Sequence, residues 1–222
     1  MGSKQISKIA GTLILIGIIV GLLSIIPSVE NEKYLETVYS NKTQIYIGAF
    51  FQFLLIPIYI GFALILYPLL KQYNSILSIG FFGFRFMAGV FQLLGIILLP
   101  AFIILSENYS IGINSNLVFY ETTGEIFKIS RDLINHFGVI LATGIGNLFL
   151  YSIFYKEKNI PKWISVWGIT GNILIIISSF LILFQLIEVI STVYIIISTP
   201  LILQEIILAI WLIKKGLKTY KK

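Results

Sequence analysis

The stretch IYIGAFFQFLLIPIYIGFALILYPLL, Ile45–Leu70, decides the fold, because its 26 residues include no charged side chain. A helix of that length measures about 39 Å at 1.5 Å per residue, more than the roughly 30 Å of a bilayer's hydrocarbon core. Lipid offers no hydrogen-bond partners to backbone groups, so an apolar run of this length must satisfy its own N–H and C=O groups as a helix. Pro57 and Pro68 lie within it and are places where it can kink.

Comparable runs follow on both sides at Ile9–Ile26, Ile76–Leu105, Leu133–Tyr155, Trp163–Leu186 and Thr192–Ile213. The expected fold is therefore all-α, a single polytopic bundle of six transmembrane helices spanning residues 1–222. A β-barrel would need short segments of alternating hydrophobicity, which the sequence lacks. The first run could be a secretory leader, since Lys4 and Lys8 precede it, but LLSIIPSVE offers no A-x-A cleavage site and the run is read as a retained span. Composition agrees: 57% of residues are apolar and 12% charged, with a mean hydropathy of +0.94.

Charge placement sets the expected orientation. Eleven basic residues flank the spans on the side of the N-terminus: Lys4, Lys8, Lys71, Lys156, Lys158, Lys162, Lys214, Lys215, Lys218, Lys221 and Lys222. Four lie opposite, Lys33, Lys42, Lys128 and Arg131, together with eight of the ten acids. By the positive-inside rule both termini are expected in the cytoplasm of a cell membrane. The net charge of +6 gathers at span ends and in KKGLKTYKK, which suits the lipid bilayer and its anionic headgroups better than nucleic acid. Trp163, Trp167 and Trp211 fit the aromatic belt at the same interface. The loop before the fourth run carries Thr122 and Glu125 in a capping-box spacing, which predicts a helix that starts near Thr122 and stands beyond the outer surface.

The absence of cysteine excludes disulfides, thiolate nucleophiles and cysteine metal sites, and a lone histidine, His136, excludes a multi-histidine site within one chain. No cofactor is expected. Polar residues inside the spans are the remaining chemistry. Counted from the terminus side of their spans, Arg85 and Asn172 lie about 14 Å deep, and Glu205 and Asn147 about 12 Å. Four helices thus bring one strongly polar group each to nearly one depth, a candidate buried polar layer of Arg85, Glu205, Asn147 and Asn172. Helical spacing gives each such residue small or polar companions: Gly89 and Gln92 with Arg85, Ser198 with Glu205, Thr143 with Asn147, and Gly168 with Asn172. Gly17-x-x-x-Gly21 and Ala142-x-x-x-Gly146 offer close helix contacts. Two readings stand for the layer. Arg85 pairs with Glu205 or snorkels to the headgroups as a structural feature, or the layer is a ligand or ion site. The sequence expectation is an Arg85–Glu205 ion pair, direct or through one water, and a contact of His136 with Asp132.

Three stretches, IAGTLILIGIIVGLLS (Ile9–Ser24), HFGVILATGIGNLFLYSIFYKEKNIPKWISVWGITG (His136–Gly171) and PLILQEIILAIWLIKKG (Pro200–Gly216), resemble an uncharacterised bacterial membrane-protein family, the domain of unknown function numbered 4386. GFRFMAGVFQLLG (Gly83–Gly95) resembles that family's third span with its embedded arginine. The resemblance implies an integral membrane protein and brings no catalytic residue, cofactor or substrate. Among functions, the leading expectation is binding or transport of a small molecule or ion in a cavity at the polar layer, open to the cytoplasmic side. The alternative is an accessory or structural subunit that packs on a membrane-protein partner or on a second copy of itself. An enzyme is disfavoured, because no serine motif or carboxylate cluster accompanies the lone histidine.

Overall fold

The computed structural model describes residues 1–111, 117–189 and 191–218. Lys221 and Lys222, counted above, and part of the loop before the fourth run lie outside the described residues. The described residues are mostly helical and form no strand. In chain order the elements are α1 (Ser3–Leu23), α2 (Pro27–Glu30), α3 (Tyr34–Thr37), α4 (Lys42–Leu70), α5 (Ser75–Ile97), α6 (Leu99–Ser110), α7 (Leu117–Asp132), a π-helical segment (Leu133–Val139), α8 (Ile140–Glu157), α9 (Lys162–Leu183) and α10 (Thr192–Lys214). Among the described residues six helices are long and apolar enough to cross a membrane: α1, α4, α5 with α6, α7 through α8, α9 and α10.

Local chemistry sets the ends. Asn74 Oδ1 accepts from Leu77 N at 2.9 Å to start α5, and Ser191 Oγ accepts from Tyr194 N at 3.3 Å to start α10. Pro57 and Pro68 are carried inside one continuous α4. The third run is divided: α5 ends at Ile97 and α6 begins at Leu99, with Pro100, which has no N–H to donate, in the first turn of α6. The fourth helix, Leu117–Glu157, is with 41 residues longer than a bilayer requires, but it is already helical at Leu117, so Thr122 and Glu125 sit inside it and are not its cap. The first span also begins and ends earlier than its hydropathy suggests, with Lys4 and Lys8 inside the helix.

The extensive contacts join each span to the next in sequence, α1 to α4, α4 to α5, α5 to α8, α8 to α9 and α9 to α10, and α10 returns to α1. The spans therefore form a closed ring. Small residues allow close approach: Gly146 of α8 stands where an added Cβ would lie 3.2 Å from Phe84 Cβ and 3.5 Å from the Phe81 carbonyl of α5. Of the first glycine pair, Gly17 meets Ile58 of α4, whereas nothing lies within 4 Å of a Cβ at Gly21.

Each end of the ring has its own core. At the terminus end Ile6, Leu66, Phe81, Phe154, Leu208 and Leu212 pack together. There Gly216, at φ +74°, turns the chain so that Leu217 N donates to Ser7 Oγ at 3.0 Å, while Lys218 and Asn159 exchange two hydrogen bonds. At the opposite end α2, α3 and α6 bury Ile26, Val29, Leu35, Val38 and Phe102 against Ile45 of α4. Ser106 Oγ stitches this cap, accepting from Tyr39 N and donating to Leu35 O at 2.8 and 2.7 Å.

Candidate functional site

The ring encloses a cavity of about 370 Å³ on its axis, lined by side chains from all six spans, among them Tyr59, Arg85, Thr143, Asn147, Asn172, Ser198 and Glu205. The four residues of the sequence-derived layer all line it.

Arg85 is 8% exposed and is held from two sides. Its Nη2 donates to Asn147 Oδ1, and the rings of Phe62, Phe81 and Tyr59 surround the guanidinium with centroids 5.0, 5.7 and 5.9 Å away. Arginine has only donors, so Asn147 must turn its oxygen to it and its amide nitrogen away. That nitrogen donates to Asn172 Oδ1 at 3.0 Å, and Asn172 Nδ2 donates to Gly168 O at 2.7 Å. The result is a directed chain from α5 through α8 to α9. It leaves Arg85 Nε buried without a partner.

Glu205 stands apart. Among the described residues the ion pairs are Arg131 with Glu30 at 2.8 Å and with Asp132 at 4.0 Å, and Glu205 makes none. The expected direct Arg85–Glu205 pair is thus absent. The ring explains it: the third and sixth spans lie opposite one another with the cavity between them, while Asn147 sits on the neighbouring span. Beside Glu205, Gln204 is fully buried, accepting from Tyr151 Oη at 2.8 Å and donating to Ile164 O at 3.2 Å. Tyr151 reaches it because Gly168 leaves room for the ring. Sequence reasoning passed over Gln204, although a glutamine beside a glutamate in a long apolar run was the available signal.

A second cavity of about 470 Å³ lies toward the cap and shares Tyr59, Ile140 and Tyr194 with the first. Gln52, Gln92, Glu30, Arg131, Asn135 and His136 line it. The π-helical segment puts Asn135 and His136 there, an added residue in the helical turn of a kind frequent at functional sites. His136 does not bond Asp132: its Nδ1 lies 3.5 Å from Tyr194 Oη and the two rings meet edge to face. A third cavity, about 550 Å³, shares Glu30 and Val189 with the second and is lined also by Asp132 and Glu188. Toward the termini, by contrast, Leu66, Phe81, Phe154, Leu208 and Leu212 fill the axis. The neighbouring cavities thus lie on the side away from the termini, and the apolar core lies on the side toward them.

A ring of six apolar helices around a polar compartment is the build of a multi-pass membrane protein. The chain belongs to the family described as "Domain of unknown function (DUF4386)", whose match covers residues 9–216. No curated protein and no solved structure matches it.

Proposed function

We propose that this protein binds or carries a small molecule or ion in the axial cavity of a cell membrane, with Arg85 and Glu205 as the recognition groups and both termini in the cytoplasm. The observation that supports this is one cavity lined by an arginine and a glutamate of opposite sign that do not pair with each other. An isolated charge in hydrocarbon costs several kcal/mol, so a bundle that needed only stability would have paired or lost these two. We read it as a binding or transport protein and not an enzyme, with the basic tail against anionic headgroups.

Because the chain has no cysteine, a single Thr143→Cys variant reports on the cavity wall cleanly. A small charged thiol reagent added to the protein in vesicles should modify it from the side opposite the termini. A thiol that stays unreactive there, while one placed on α7 at Glu121 reacts, would mean a dry and closed interior. The accessory-subunit reading would then replace this one.

A further inference from the structure

Two features of the cavity point to the class of ligand, and this inference rests on the binding function proposed above. The first is the balance of charge. Arg85 and Glu205 border one space without an ion pair between them, and Glu205 makes no hydrogen bond among the described residues. A plain anion drawn to Arg85 would meet the carboxylate, and a plain cation drawn to Glu205 would meet the guanidinium. A molecule that carries both signs is attracted by both groups and repelled by neither.

The second is the wall between α1 and α10. At the terminus end these helices touch closely, since a Cβ on Gly11 would lie 2.6 Å from Ala209 O and 2.8 Å from Ile213 Cγ1. Stepping along this antiparallel seam brings Ile14 level with Glu205 and Ile18 level with Ile202, and all four line the cavity. Ile202 is also 46% exposed on the outside of the bundle. One layer of side chains therefore separates the charged groups from lipid. Further along α1, Gly21 lines the second cavity together with Tyr194 and Ile195 of α10, and an added Cβ there would meet nothing within 4 Å. The cavity is thus polar on the side of Arg85 and apolar where it adjoins the bilayer. Its roughly 370 Å³ is near the lower limit for small-molecule sites, enough for a polar head and too little for long tails.

We propose that the cavity takes the zwitterionic head of a membrane amphiphile, its phosphate or carboxylate on Arg85 and its ammonium on Glu205, admitted sideways between α1 and α10 with its tails left in the bilayer.

The test uses the full chain in a neutral detergent and three probes: a short-chain phosphatidylethanolamine, the matching phosphatidylglycerol, and tail-free O-phosphoethanolamine. Bound probe is counted by native mass spectrometry. The expected result is retention of the phosphatidylethanolamine at least about tenfold more tightly than either of the others, a difference of about 1.4 kcal/mol. Glu205→Gln should remove that preference over phosphatidylglycerol, and Arg85→Met should weaken binding of both lipids. Should Arg85→Met fail to fold, Glu205→Gln carries the test, because its carboxylate has no hydrogen bond to lose. Gly21→Phe, which puts a ring in the open space beside Tyr194 and Ile195 of α10 and leaves both charges in place, should slow lipid exchange. Equal binding of O-phosphoethanolamine would overturn sideways entry while leaving the proposed binding function intact, and equal binding of phosphatidylglycerol would overturn the zwitterion. If no probe binds, the amphiphile proposal falls, and an unreactive Thr143→Cys would then remove the binding function with it.

Discussion

Asn147 joins the charged and the neutral parts of the polar layer, since it alone accepts from Arg85 and donates to Asn172. Replacing it with leucine would leave a buried guanidinium donor and a buried amide oxygen unsatisfied. Asn147→Leu should destabilise the protein by at least about 2 kcal/mol, the cost of stranding such groups away from water. Glu205→Gln should leave the protein at least as stable as the parent, because it removes an unpaired charge and breaks no ion pair. Thermal unfolding of the two variants in one detergent checks the order, and a Glu205→Gln as damaging as Asn147→Leu would reveal a partner for the carboxylate. Counting 1.5 Å per residue was enough to bring together Arg85, Glu205, Asn147 and Asn172, which line one cavity. It could not say which of them touch, because height leaves open where each helix stands around the ring. Arg85 meets its neighbour's asparagine and not the glutamate across the cavity for that reason.

At the scale of elements, the two ends of α1 differ in what they demand of glycine. Gly11 is pressed on the backbone of α10, where Ala209 O cannot move aside, so Gly11→Ala should loosen the α1–α10 seam and lower the unfolding temperature. Gly21→Ala meets open space and should be neutral or stabilise by up to about 1 kcal/mol, the helix-propensity difference. A matching loss from both variants would show that the seam is closed along its whole length. The cap depends on a different contact. Arg131 of α7 is nearly dry and pairs with Glu30 of α2 at 2.8 Å, so Glu30→Ala would leave a buried, poorly compensated cation and should cost about 3–5 kcal/mol. Faster proteolysis around Lys33 in that variant would be the simplest readout. Hydropathy could reveal neither α2 nor α3, whose four residues each are too short to show a period, nor the pairing of Glu30 with a residue a hundred positions away. The break beside Pro100 could not be singled out from proline's missing N–H, because Pro57 and Pro68 lack it equally and leave α4 continuous.

For the whole molecule, ring closure makes a statement about topology that does not depend on any rule of charge. The N-terminus, the turn at Lys158–Pro161 and the start of the C-terminal tail are bonded together at one end, through Leu217 N to Ser7 Oγ and through Lys218 with Asn159. Reporters fused after Lys222 and inserted in the Lys156–Lys162 loop must therefore give the same answer, and one in the Pro27–Gln44 segment must give the other. The charge distribution then predicts which answer. Among the described residues nine of the flanking cations stand at the terminus end against four at the cap, and one of those four, Arg131, is already neutralised by Glu30. The first two reporters should read cytoplasm and the third should not. Disagreement between the first two would break the ring itself. Agreement with the opposite sign would keep the ring and invert it, turning the mouth of the cavity beside Glu30 and Asp132 toward the cytoplasm. The thiol reagent would then have to reach Thr143→Cys from the cytoplasmic side, so the two measurements together fix from which compartment the cavity is open.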